Sequence, residues 1–169
     1  MIKLFSLLLI IASLTSCWPT SIAFRDKSVP PEWKKFNIVT LENNAANTPL
    51  SYAANLSENL KDGVQNNTSL LLATGSDSSE INIEGQITNY SILPIALQEG
   101  DFASKNRLKI TVSFQIYISK PEEETREFSS SRFIDYDAAT DLAIVESDLL
   151  QEVNDQIVQD LINKLLANW

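Results

Sequence analysis

The chain has no histidine, a single cysteine (Cys17) and only 4 glycines in 169 residues. Without histidine, Ser-His-Asp catalysis, the usual base for a thiol nucleophile and most zinc sites are excluded. A lone cysteine cannot close an internal disulfide. No P-loop, dinucleotide glycine pattern, CxxC or HExxH occurs. Positive charge is also scarce: 13 basic side chains stand against 22 acidic ones, a net charge of −9. If Lys3 leaves with a signal peptide, the mature chain is one unit more acidic still. Binding nucleic acid depends on neutralising phosphates with Lys and Arg, so no nucleic-acid partner is expected. These absences predict a protein that is not an enzyme, with no catalytic residue, cofactor or metal. Carboxylates do cluster at Glu122-Glu123-Glu124, at Asp135 and Asp137, and at Glu146 and Asp148, and the first of these reads as a solvated hairpin tip.

What is present begins at the N-terminus. Lys3 is followed by LFSLLLIIASL, an apolar run too short to span a bilayer comfortably and of the length of a signal-peptide core. Leu14-Thr15-Ser16-Cys17 then places an aliphatic and two small residues before the sulfur, which resembles the lipobox cut by the bacterial lipoprotein signal peptidase. Residues 1–16 are therefore expected to be cleaved, leaving Cys17 as a lipidated first residue. Each buried CH₂ of its acyl chains contributes about 0.8 kcal/mol, and several chains together give stable anchoring. Trp18 follows the cysteine where an aspartate would resemble inner-membrane retention, so the expected location is the outer membrane, facing the periplasm.

Residues 17–35 read as an extended leader, because Pro30-Pro31 disfavours both helix and central strand. One domain is expected over 36–169, with 44% hydrophobic residues in the whole chain to supply its core. FNIVTL, 36–41, suits a first strand. Thr48-Pro49 predicts a helix start, with Leu50, Ala53, Ala54, Leu60 and Val64 on one face and an end near Gly63. TSLLLAT, 68–74, reads as a short buried strand. INIEGQITNY, 81–90, and RLKITVSFQIYIS, 107–119, alternate at period two, and the second places Leu108, Ile110, Val112, Phe114, Ile116 and Ile118 on one side. SKPEEET links onward to REFSSSRFIDY. The stretch 93–106 reads as a long functional loop carrying Leu93, Ile95, Leu97 and Phe102.

At the C-terminus Leu142, Val145, Leu149, Val153, Ile157, Leu161 and Leu165 recur at threes and fours behind a candidate N-cap, Asp141. Two amphipathic helices on one face of a four- to five-stranded, mostly antiparallel or mixed sheet make an α+β two-layer sandwich.

This order of elements behind a lipobox cysteine resembles the lipopolysaccharide-assembly lipoprotein family, LptE, in the divergent form of Bacteroidota-type bacteria. The likeness rests on the Cys17 lipobox, Val29-Pro30-Pro31-Glu32, IEGQITNYSILPIAL, NRLKITVSFQ, FSSSRFIDYDAATDLAIVE and the closing LINKLLANW. It implies a partner that sits inside the LptD β-barrel of the outer membrane as plug and assembly factor, and that assists delivery of lipopolysaccharide to the outer leaflet. Barrel lumens are polar, so Thr111, Ser113, Gln115 and Tyr117 are expected to face the wall. For a lipopolysaccharide contact the concentrated positive charges are Lys105, Arg107 and Lys109, with Arg126 and Arg132. The same first three residues also suit a solvated strand edge that discourages aggregation. Two rival readings share the tether: a free-standing periplasmic binding lipoprotein with a concave pocket, and a pilotin-like targeting factor for another outer-membrane assembly. A hydrolase with paired buried carboxylates is a more distant one.

Overall fold

Alternating isoleucines set the centre of the molecule. The computed structural model describes residues 29–95 and 105–167. The elements are β1 (Lys35–Ile38), β2 (Glu42–Asn43), α1 (Tyr52–Asn67), β3 (Leu71–Leu72), β4 (Ile81–Ile95), β5 (Lys105–Ile118), β6 (Glu124–Asp137) and α2 (Leu142–Leu165). They form one sheet in the order β3-β1-β4-β5-β6, with β2 also paired to β4. Strands β4, β5 and β6 are antiparallel neighbours, whereas β1 and β2 run parallel to β4. The expected α+β sandwich is present, and the sheet is mixed because α1 carries the chain over from β1 and β2 before β4 begins.

All six apolar residues named on β5 are buried, and with Ile81, Ile83, Ile87, Phe36 and Ile38 they meet both helices. An irregularity between Ile87 and Asn89 shifts the register by one residue, so that Tyr90 points to the helix side after the isoleucines have done so. Helix α2 starts at Asp141, whose side chain accepts a hydrogen bond from the Ala143 N–H. Its buried stripe runs from Leu149 through Val153, Ile157 and Leu161 to Leu165.

Several boundaries differ from the sequence reading. The Thr48 hydroxyl donates to the Ala45 carbonyl instead of capping a helix, α1 begins at Tyr52, and Leu50 is wholly exposed ahead of it. Ala54 is exposed too, while Tyr52, Leu56 and Ser57 join Leu60 and Val64 on the buried side. Gly63 does not end α1. It marks where α1 crosses α2: a Cβ there would lie 2.2 Å from Val158 Cγ1, so glycine lets the helices approach. In TSLLLAT only Leu70 is buried; Leu71 and Leu72 form an exposed border strand. The expected loop 93–106 is shorter, because Leu93, Pro94 and Ile95 pair with Arg107, Asn106 and Lys105. Leu97 and Phe102 lie outside the described residues.

The seam between α2 and β6 is polar. Asp160 on α2 accepts hydrogen bonds from the Ser130 hydroxyl at 2.6 Å and from Arg132 Nε at 2.7 Å, and a second Arg132 nitrogen closes a two-point pair. Burial alone pushes the Asp160 carboxyl up; the hydrogen bonds from Arg132 and Ser130 and the guanidinium charge outweigh it and hold the carboxyl below its ordinary value. A carboxyl lowered on folding contributes stability above its unfolded value, near pH 4, and that contribution is lost as pH falls through the folded value. Asp160→Asn is therefore expected to cost about 1.5–3 kcal/mol at pH 7. In urea titrations the gap to wild type should narrow below about pH 4. A pH-independent gap would mean that the ion pair contributes little.

Candidate functional site

Because both helices cover the same side, no described element lies over the opposite side of the sheet. Its surface is built by alternate residues: Glu84 and Gln86, then Asn89, Ser91 and Leu93 beyond the irregularity in β4; Lys105 to Tyr117 at odd positions in β5; and Thr125 to Asp137 at odd positions in β6. The polar centre is self-satisfied. Thr111 and Ser131 share a hydroxyl hydrogen bond at 3.1 Å, Gln115 Nε2 donates to Glu127 Oε1 at 2.9 Å, and the Tyr117 hydroxyl donates to Gln115 Oε1 at 2.7 Å. Thr111, Ser113, Gln115 and Tyr117 thus stand in one line on the open face.

Beside that line the chain between β1 and β2 leaves a groove of about 300 Å³, open on one side, with Glu42, Glu84, Gln86, Ser113 and Gln115 in its walls. Gln86 Nε2 donates to Glu42 Oε2 at 3.2 Å. The sequence reading did not single out these β4 residues, although Glu84 and Gln86 are the polar half of the alternation that marked INIEGQITNY as a strand.

The five basic residues do not form one cluster. Lys105, Arg107 and Lys109 share the open face near the β4–β5 connection, but Arg126 and Arg132 point to the helix side. There Arg126 makes a two-point pair with Glu124, donates to the Leu165 carbonyl and lies 5.7 Å from the centre of the Trp33 ring, while Arg132 is bound to Asp160. Both guanidinium groups serve packing of the helix and the N-terminal segment. The strand-edge reading of the other three also fails, since β5 is flanked by β4 and β6.

On the open face Arg107 is itself paired, Nε and a terminal nitrogen lying 2.7 and 2.8 Å from the two Asp135 oxygens, with its guanidinium 3.8 Å above the Phe133 ring. The hydrogen bond from Arg107 holds the Asp135 carboxyl below its usual value. Lys105 is opposite Asp137 and Lys109 opposite Phe133. Exposed Leu93 and Phe133 lie among these charges, so this end of the sheet is amphipathic rather than simply basic. Cys17 lies outside the described residues. Among the described residues no three His, Cys, Asp or Glu side chains are grouped to hold a metal ion, and no helix is long and apolar enough to cross a membrane.

Solved structures with the same architecture include an uncharacterized lipoprotein B from Nitrosomonas europaea, 17% identical over 83% of this chain and 86% of that one with a TM-score of 0.55. A hypothetical protein from Chlamydia trachomatis is 11% identical over 80% of this chain and 99% of its own, with a TM-score of 0.58. A putative neuraminyllactose-binding hemagglutinin homolog from Helicobacter pylori is 12% identical over 83% and 87% of the two chains, with a TM-score of 0.53. At these identities the likeness is one of fold. No curated protein matches the chain. The model of the LptE family, described as lipopolysaccharide-assembly, matches residues 34–165, from just before β1 to the last residue of α2. The chain belongs to the LptE lipopolysaccharide-assembly family.

Proposed function

We propose that this protein is an outer-membrane lipoprotein, anchored through Cys17 and facing the periplasm, that partners an LptD-type β-barrel as plug and assembly factor in lipopolysaccharide transport. The observation that carries this reading is the uncovered sheet face. Its centre is polar and uncharged from Thr111 to Ser113 and from Ser129 to Ser131, the composition expected of a surface set against a polar barrel lumen, while the apolar stripes of α1 and α2 are used up in the protein's own core. The free-standing binding module is less well supported, because the grooves among the described residues are open and none is an enclosed apolar cavity.

A photo-crosslinking amino acid at Ser113 tests the surface. It should capture a single large barrel protein in intact outer membranes, while the same probe at Asn59 on the outer side of α1 should capture much less. Equal capture at both positions, or none at Ser113, would refute this assignment.

Within this reading, Lys105, Arg107 and Lys109, with the apolar rim of Leu93 and Phe133, meet the phosphates and acyl chains of lipopolysaccharide. Reversing two of the charges in Arg107→Glu with Lys109→Glu is expected to lower lipopolysaccharide crosslinking several-fold and to raise outer-membrane permeability without unfolding the protein. Unchanged crosslinking and permeability would remove these residues from the ligand contact.

A further inference from the structure

Ile95, Lys105 and Asp137 are register partners, so β4 stops, β5 starts and β6 stops at one end of the sheet. Both helices begin there too. The Tyr52 ring at the start of α1 lies 6.1 Å from that of Tyr90, and Glu146, in the second turn of α2, accepts a hydrogen bond from the Tyr90 hydroxyl at 2.6 Å. Three large apolar side chains are exposed on the helix side of this end: Leu50 just ahead of α1, Ile92 opposite buried Leu108, and Ile144 in the first turn of α2. Leu50 is wholly exposed and Ile144 is 76% exposed, so neither serves the core. With Leu93 and Phe133 on the open side, five of the nine exposed large apolar residues gather here, so the exposure belongs to this end rather than to the surface at large.

The form of the patch selects its partner. Leu50, Ile92 and Ile144 project from three separate elements and line neither groove between α1 and α2. A folded protein partner needs a continuous, shaped complement, whereas a fluid lipid surface accepts projecting apolar side chains singly. The charges agree. Lys105 is exposed at this end, and α1 starts with neither a side-chain cap nor an acidic residue in its first turn, which leaves partial positive charge there. The nearby carboxylates are engaged by their own chain: Asp137 accepts from the Ala139 N–H, Asp141 from the Ala143 N–H, Asp135 from Arg107 and Glu146 from Tyr90. The opposite end, at the β5–β6 hairpin, presents exposed Glu122, Glu123 and Glu124 instead.

We propose that the helix-side half of this end, Leu50, Ile92 and Ile144, rests on a phospholipid surface. The apolar side chains enter the acyl boundary, and Lys105 and the start of α1 face headgroup phosphates. This contact is separate from the open face assigned to the barrel and from attachment at Cys17, and it depends on neither.

The test reconstitutes the full chain, purified from its membrane, into vesicles of phosphatidylethanolamine and phosphatidylglycerol that carry a trace of phospholipid with a diazirine in its acyl chain. After irradiation the adducts are mapped by mass spectrometry. Labelling of Leu50, Ile92 and Ile144 is expected to exceed that of Pro121 to Glu123, and that of the similarly exposed Leu71 and Leu72, by about tenfold. Equal labelling of the two ends, labelling concentrated at the hairpin end, or none at the three residues overturns the proposal. Leu50→Glu with Ile144→Glu changes two exposed positions and should lower labelling at Ile92 about tenfold with an unchanged circular dichroism spectrum. Unchanged labelling at Ile92 in this variant would also overturn the contact. Adducts that form only after lipopolysaccharide is added to the vesicles would overturn the phospholipid assignment. The vesicles contain no barrel and the two ends are compared within one molecule, so a failure of the barrel or anchor reading leaves this result unaffected.

Discussion

Phe114→Ala is expected to lower stability by about 3–5 kcal/mol, the range for deleting a buried aromatic side chain and leaving a partly unfilled cavity. Phe114 lies in the middle of β5 at 1% exposure. Its ring stacks on Phe128 of β6 with centroids 5.0 Å apart and planes 18° from parallel. On the other side it lies against Gly85 of β4, where an added Cβ would be 3.0 Å from Phe114 Cδ1. The ring therefore fills the space that a glycine leaves and joins three strands at once. The loss includes the stacking contribution, typically about 0.5–1.5 kcal/mol beyond area burial. Against total stabilities of about 5–15 kcal/mol, the variant should unfold at a much lower urea concentration. Phe114→Leu should recover most of the difference. A shift below about 1 kcal/mol for the alanine variant would mean that the core does not rest on this residue.

The second large effect concerns the anchor. Cys17→Ala is expected to abolish labelling by radioactive or clickable fatty acid and to move the protein from the membrane to the soluble periplasmic fraction. A single acyl chain gives only marginal membrane binding, and the mature lipidated cysteine of this proposal carries several. Losing all of them at once leaves an acidic domain with no membrane-spanning helix among its described residues. Retained labelling in Cys17→Ala would end the lipobox interpretation. Lost labelling with full membrane retention would show that the barrel contact alone holds the protein in place.

Much of the fold is legible because periodicity and burial coincide. The alternation in RLKITVSFQIYIS places the two faces of β5 correctly, and the stripe from Leu149 to Leu165 places α2 on the inner one. What was not legible depends on tertiary context. Thr48-Pro49 has the chemistry of a helix start, but the Thr48 hydroxyl is satisfied by a carbonyl three residues back. Gly63 looks like a stop until Val158, far away in sequence, is seen to occupy the space above it. Similarly, Arg126 and Arg132 read as part of a basic set by composition, yet even-numbered positions on β6 face α2 and find Glu124 and Asp160. Parity along β6 separates them from Arg107, and that parity is uncertain from sequence because REFSSSRFIDY alternates only weakly. The polar line from Thr111 to Tyr117 needed no such context, since it is the other half of the clearest alternation in the chain.

The central claim is that this face belongs against a barrel. The most direct test is to purify the C-terminally tagged protein from detergent-solubilised outer membranes and to identify by mass spectrometry what remains bound in stoichiometric amount. One large LptD-like β-barrel is expected, with its recovery sharply reduced by Ser113→Arg. Recovery of the lipoprotein alone, with the barrel present in the starting membranes, would contradict it.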